Sequence, residues 1–219
     1  MIRIEFHLHT YHSPDSLLTM EEIVQTCRRR QINAVVVADH NTIQGALELQ
    51  NFARERLQVV VAEEVLTSEG EIMGLFLKEP IPPGLTPRET VDRIREQGGL
   101  VLIPHPTDRL RRSRLNGRAL QEVLPLADMV EIYNSRTIFE IDNHKALALA
   151  CEHDLAKTAG SDAHLQCEIG RSYGEMEAFT DAAGFLQNLK AVKLYPKKSS
   201  LLVHFSAKPL RFFRKRFIK

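Results

Sequence analysis

The chain has 219 residues, of which 43% are hydrophobic and 26% charged. This is the profile of one ordinary domain with a buried core, and it excludes collagen-like, disordered and disulfide-scaffold classes. The net charge of +1 conceals a partition: ten of the 29 Lys and Arg follow Asp181, with no acid among them, so residues 1–181 hold 19 cations against all 28 acids. An acidic or metal-binding body joined to an anion-seeking tail is expected, with a boundary at Tyr195-Pro-Lys-Lys-Ser-Ser200 that separates residues 1–195 from 196–219.

In chain order, short apolar β-branched runs at 2–6, 34–38, 59–62, 72–77, 100–103, 129–133 and 155–159 read as strands, several of them apolar on both faces. Helices are expected between them. Thr19-Met-Glu-Glu22 and Thr86-Pro-Arg-Glu89 match the capping box and place helices at about 19–30 and 86–97. Further helical periods cover about 42–55, 118–125, 139–153 and 180–190. Alternation of this kind argues for an α/β fold with a largely parallel sheet. Cys27, Cys151 and Cys167 are too few and too scattered for a disulfide framework or a four-thiolate zinc site. The opening MIRIEFHLHT lacks a leader's apolar run, and no stretch of about 18 apolar residues follows, so a cytoplasmic, non-spanning protein is expected.

Five of the strands end in imidazole or carboxylate: His7 and His9, Asp39 and His40, Glu63 and Glu64, His105, and Asp162 and His164. Any one pair alone reads most simply as a turn device. Five together do not, because gathered carboxylates and imidazoles lose hydration and repel unless a cation neutralises them. In a barrel of parallel strands the C-terminal ends share one face, where such residues converge. His7 and His9, two apart on an extended segment, can reach one ion. A donor set without thiolate suits Mn²⁺, Zn²⁺ or Fe²⁺, and more candidate ligands than one tetrahedral ion can use imply at least two ions. Bridged divalent cations favour phosphoester hydrolysis by a water or hydroxide of lowered pKa.

His7-Leu-His9-Thr with Ser13-Pro-Asp15, Ala38-Asp39-His40-Asn41, Ala62-Glu63-Glu64-Val65, Pro104-His105-Pro106 and Gly160-Ser161-Asp162-Ala163-His164 resemble, in order and spacing, the motifs of the PHP (polymerase and histidinol phosphatase) family. The resemblance implies a distorted (β/α)7 TIM-like barrel with two or three divalent metal ions at the strand C-termini. It implies one ion on His7, His9, Glu64 and Asp162, a second sharing Glu64 with His105, and another on Asp15, His40 and His164. His7, His9, Glu64, Asp162 and His164 would then carry catalysis. Glu64 takes the family's glutamate position and Glu63 becomes its neighbour. The His or Cys often found after the 129–133 strand is missing, which leaves Glu131, Asn134 or Glu140 as substitutes.

Substrate phosphate suits a planar arginine, and Arg136 beside Asn134 is the first choice, with the loop Asp108–Arg114 offering others. His12 is expected at the pocket edge, while His144, His153 and His204 lie in helix or tail without a role. In the tail, Leu210, Phe213 and Phe217 with Arg211, Arg214, Lys215 and Lys219 form a basic amphipathic pattern that suits nucleic acid, an anionic membrane surface or docking on the body. Three functions compete. They are a stand-alone phosphatase or phosphodiesterase on a small phosphorylated metabolite or nucleotide, a nuclease of the same chemistry, and a non-catalytic metal-binding interaction module.

Overall fold

Both capping boxes form as the sequence requires. Thr19 Oγ1 accepts the Glu22 N–H while the Glu22 carboxylate accepts the Thr19 N–H, opening α1 (Met20–Arg30); Thr86 and Glu89 do the same for α3 (Pro87–Glu96), which has proline in its first turn. Each cap stabilises its helix by about 1 kcal/mol. The remaining helices are α2 (Gln44–Ala53), α4 (Gly117–Val123), α5 (Glu140–Glu152) and α6 (Ala182–Leu189). The structure is a computed structural model and describes residues 1–203. The amphipathic segment of the tail, including His204, Leu210, Arg211, Phe213, Arg214, Lys215, Phe217 and Lys219, lies outside the described residues.

Nine strands form one sheet: β1 (Ile2–Leu8), β2 (Ala34–His40), β3 (Gln58–Thr67), β4 (Gly70–Leu75), β5 (Leu100–Ile103), β6 (Met129–Asn134), β7 (Ala156–Gly160), β8 (Tyr173–Met176) and β9 (Lys193–Tyr195), in the order β7-β6-β5-β4-β3-β2-β1-β8-β9. The first seven are the strands read from the sequence. The sheet is mixed rather than largely parallel: β1–β2, β2–β3, β5–β6 and β6–β7 run parallel, and the pairs involving β4, β8 or β9 run antiparallel. The reversal at β4 has a simple cause. Only Ser68 and Glu69 separate it from β3, and two residues can close a hairpin but not a parallel crossover.

The sheet curls until the segment after β7 meets β1, where the His9 N–H donates to Ala163 O at 3.0 Å and the Ala163 N–H to His7 O at 3.2 Å. This nearly closes a barrel. Alternation sorts each strand: Val35, Val37, Val61 and Val101 pack outward against α1 to α4, while Val36, Ala62, Met73, Leu75, Leu102 and Met129 fill the interior. Phe185 of α6 plugs that interior, meeting the rings of Phe6, Phe76 and Phe179 edge-on at centroid distances of 6.2, 5.3 and 5.0 Å.

Candidate metal centre

The inward phase of each strand decides which polar side chains reach the barrel mouth. In β1, Ile4 and Phe6 belong to the interior cluster but Leu8 belongs to the outer one. The register shift between Glu5 and Leu8 accounts for the change; such a bulge re-aims the side chains beyond it. His7 and His9 therefore turn into the mouth. On β3, Glu64 shares the phase of inward Ala62, whereas Glu63 shares the phase of outward Val61 and accepts the Ile81 N–H at 2.8 Å. Burial pushes the Glu63 carboxyl up to about 7.

His7 and His9 have their tautomers set from behind. The Ser13 hydroxyl donates to Asp39 Oδ1 at 2.7 Å, so it accepts from His9 Nδ1–H at 3.0 Å; His7 Nδ1–H donates to Glu131 Oε1 at 3.0 Å. Both Nε2 atoms then point inward, 3.0 Å apart. Burial works against charge on His7, but Glu131 and Asp162 outweigh it and raise the imidazole well above its ordinary range, so a proton joins the two nitrogens where a bound cation would take its place. Glu64 Oε2 stands 3.7 Å from His7 Nε2 and 3.5 Å from His9 Nε2, and Asp162 Oδ1 stands 3.7 and 3.2 Å from the same atoms. Both oxygens are buried without a hydrogen-bond partner.

The other proposed ligands surround this pair. His105 Nε2 meets Glu64 Oε1 at 2.8 Å, and His40 Nδ1 lies 3.2 Å from Glu64 Oε2. Asp15 faces His164 Nε2 at 3.3 Å and His40 Nε2 at 3.7 Å, with Asp15 Oδ1 and His164 Nε2 again lacking hydrogen-bond partners. Among the described residues, three groups have one ligand atom each within 4.8 Å of the others: His7, His9 and Asp162; His9, His40 and His164; and His40, Glu64 and Glu71. These unpaired, buried oxygen and nitrogen atoms fit divalent cations such as Mn²⁺, Zn²⁺ or Fe²⁺.

The electrostatics agree with that donor set. Burial opposes charge on Glu64, Asp162 and Asp15, yet the facing imidazoles, with Arg111 for Asp162, hold all three carboxyls well below the ordinary range. Burial and the neighbouring imidazoles lower His9 to about 3, so it stays neutral and ready to ligate. Backbone strain also gathers here: His105 and Asp162 occupy the left-handed region at φ 31° and 52°, which non-glycine residues adopt at a cost of order 1–3 kcal/mol where a site requires it. A Cβ on Gly160 would stand 2.3 Å from Glu131 Oε1 and 2.5 Å from His7 Cβ, so only glycine permits that approach.

Glu131 is not placed as a direct substitute for the missing His or Cys. Its carboxylate accepts three N–H groups, from His7 Nδ1 at 3.0 Å, the His105 backbone at 2.9 Å and Asn134 Nδ2 at 3.0 Å. It thus orients two ligands from behind. Glu131→Gln would turn an NH2 toward donors, and metal affinity measured by chelator competition is expected to fall about 10–100-fold. Asn134 also reaches Asp162 Oδ2, at 3.3 Å. Glu140 is exposed at the start of α5.

Arg136, expected at the substrate, is buried and held, its Nε 3.0 Å from Glu168 Oε1 and its Nη1 2.9 Å from His164 Nδ1. The arginine that enters the centre is Arg111, from the Asp108–Arg114 loop, whose Nη2 bonds Asp162 Oδ2. His12 bonds Glu48 at 2.7 Å at the rim, and His144 is exposed on α5. Sequence reasoning missed Glu71, 3.8 Å from both His40 Nδ1 and His105 Nε2. Because β4 runs antiparallel, its beginning lies where the parallel strands end.

Residues 140–194 match the PHP_C (PHP-associated) family model. The uncharacterized protein MJ1587 of Methanocaldococcus jannaschii is 37% identical over 157 residues, covering 67% of this chain and 90% of that protein. The chain belongs to the PHP family. Solved structures share the PHP fold at low identity. A two-domain protein from Bacteroides vulgatus, containing a predicted PHP-like metal-dependent phosphoesterase, has a TM-score of 0.72 at 12% identity over 90% of this chain and 65% of that one. The lesion-specific endonuclease PfuEndoQ from Pyrococcus furiosus has a TM-score of 0.60 at 14% identity, over 88% and 57%. This PHP chain therefore spans about two thirds or less of those two proteins.

Proposed function

We propose that the chain is a metal-dependent phosphoesterase, with His7, His9, Asp15, His40, Glu64, His105, Asp162 and His164 as the ligands of two or three divalent cations. One observation carries the reading: the Nε2 atoms of His7 and His9 and the carboxylate oxygens of Glu64 and Asp162 that lack a hydrogen-bond partner converge within 3.0–3.7 Å. When bound, divalent cations supply Lewis-acid polarisation of phosphoryl oxygens and lower the pKa of water.

The chain's own residues prepare that chemistry. Glu131 and the Ser13–Asp39 pair keep His7 and His9 in the ligating tautomer. Arg111 occupies Asp162 Oδ2 and leaves Oδ1 facing the imidazoles. Its guanidinium also brings a fixed positive charge beside the place a phosphoryl group would take, a task that Arg136, tied to Glu168, is less free to perform. A small phosphorylated metabolite, a nucleotide and a nucleic-acid strand would present the same group to this centre.

Purified protein is expected to contain Mn, Zn or Fe and to hydrolyse members of a panel of mononucleotides, sugar phosphates and short oligonucleotides. Metal-free protein that resists reconstitution and leaves the whole panel intact would overturn the assignment in favour of a non-catalytic module.

A further inference from the structure

Glu64 and His105 alone make a poor seat for an ion, since divalent cations held by imidazole and carboxylate take three or four protein ligands. The carboxylates around them are mostly committed elsewhere. Glu131 accepts N–H groups from His7, His105 and Asn134, and Asp162 turns Oδ1 to His7 and His9 and gives Oδ2 to Arg111. Glu71 instead faces this position. Its Oε2 lies 3.8 Å from His105 Nε2 and its Oε1 lies 3.8 Å from His40 Nδ1, while Glu64 Oε1 is 2.8 Å from the same His105 nitrogen. Donors bound about 2.1 Å from one ion stand about 3–4 Å from each other, so these separations suit a shared cation.

The β3–β4 hairpin fixes Glu71 there. Glu71 shares the inward phase of Met73 and Leu75 and is buried. Its N–H donates to Ser113 O at 2.7 Å, and its Oε2 accepts the Ser113 hydroxyl at 2.6 Å. Glycine at position 70 makes that approach possible: with φ at 129°, a Cβ on Gly70 would stand 2.7 Å from Arg114 O. One ligand atom from each of His40, Glu64 and Glu71 lies within 4.8 Å of the others. Two buried carboxylates this close repel, and a cation relieves that repulsion.

Resting on the phosphoesterase reading, we propose that Glu71 is a further metal ligand, joining Glu64 and His105 on one ion and making that position rich in oxygen donors. Two carboxylates there accompany one imidazole. By contrast, the group of His7, His9 and Asp162 holds two imidazoles, and that of His9, His40 and His164 holds three. Carboxylate donors suit Mn²⁺, whereas imidazole suits Zn²⁺ or Fe²⁺. The centre therefore offers two kinds of seat, and Glu71 sets the character of the harder one.

The test uses the full-length protein, stripped of metal, given one equivalent of Zn²⁺ and then titrated with Mn²⁺. Free Mn²⁺ is read by electron paramagnetic resonance and bound Zn²⁺ by elemental analysis. Glu71→Gln is expected to weaken one Mn²⁺ by about a hundredfold or more, and Ser113→Ala, which removes a supporting hydrogen bond, by about tenfold. Both variants should keep their Zn²⁺ and match metal-free wild type in thermal melting. Glu69→Gln, at the exposed turn, should bind as wild type. An unchanged Mn²⁺ isotherm in Glu71→Gln would overturn the assignment; if that variant fails to fold, an unchanged isotherm in Ser113→Ala would do so. Wild type that holds Zn²⁺ but takes up no Mn²⁺ would also overturn it, whereas wild type that retains neither ion would count against the phosphoesterase reading itself.

Discussion

His9→Ala is expected to lower phosphoester hydrolysis by about 10³-fold or more. His9 belongs to two of the three groups of converging ligand atoms, so its loss weakens more than one ion position. Several kcal/mol of Lewis-acid stabilisation are at stake, and each 1.36 kcal/mol is a tenfold change in rate. The fold should survive, because His9 belongs to neither of the two apolar clusters that hold the sheet and helices together. Thermal melting of the metal-free variant should match metal-free wild type, while bound metal measured by elemental analysis falls. His144→Ala, at an exposed position on α5, serves as the control and should keep wild-type activity. Full hydrolysis by His9→Ala would remove this imidazole from the proposed centre.

Metal removal should cost stability on a comparable scale. At a free metal concentration a thousand times the dissociation constant, binding stabilises the native state by about 4.1 kcal/mol, and for a chain of this size each kcal/mol moves Tm by about 2–4 °C. A drop of about 8–16 °C on chelation is expected by scanning calorimetry, reversed by Mn²⁺, Zn²⁺ or Fe²⁺. The effect should depend on pH with a definite sign. Burial works against charge on His40, but Glu64, Asp15 and Glu71 outweigh it and push the imidazole up to about 9. That proton stabilises the metal-free fold below its pKa and must leave before a cation can bind. Metal affinity should therefore weaken by about tenfold per pH unit for each proton displaced as pH falls below 9. A Tm that ignores chelator at pH 8 would contradict the metal-centre assignment.

Much of the candidate centre was legible because its proposed ligands are concentrated at strand ends, which apolar runs mark clearly. His7, His9, His40, Glu64, His105, Asp162 and His164 each follow such a run. Glu71 was missed because it precedes its run, and only the two-residue turn at Ser68 and Glu69 reveals that β4 reverses. That turn also explains why a mixed sheet stands where alternation suggested a largely parallel one. Glu131 was noticed, but its supporting position depends on His7 and Gly160, which lie far from it in sequence. Arg111 and Arg136 show a different difficulty. Both follow strands, and composition cannot tell which guanidinium is spent on Glu168 and which on Asp162.

The irregularity within β1 has a consequence for how family members should be compared. His7 and His9 face the mouth because the pairing slips between Glu5 and Leu8, and a one-residue change of register exchanges the two faces of a strand. Chain length across those few positions is thus as much a part of the centre as the imidazoles themselves. A relative could retain both histidines yet, with one residue deleted ahead of them, present them to the surrounding helices. Counting residues from the interior-facing Phe6 is the better guide to whether such a relative keeps a working centre.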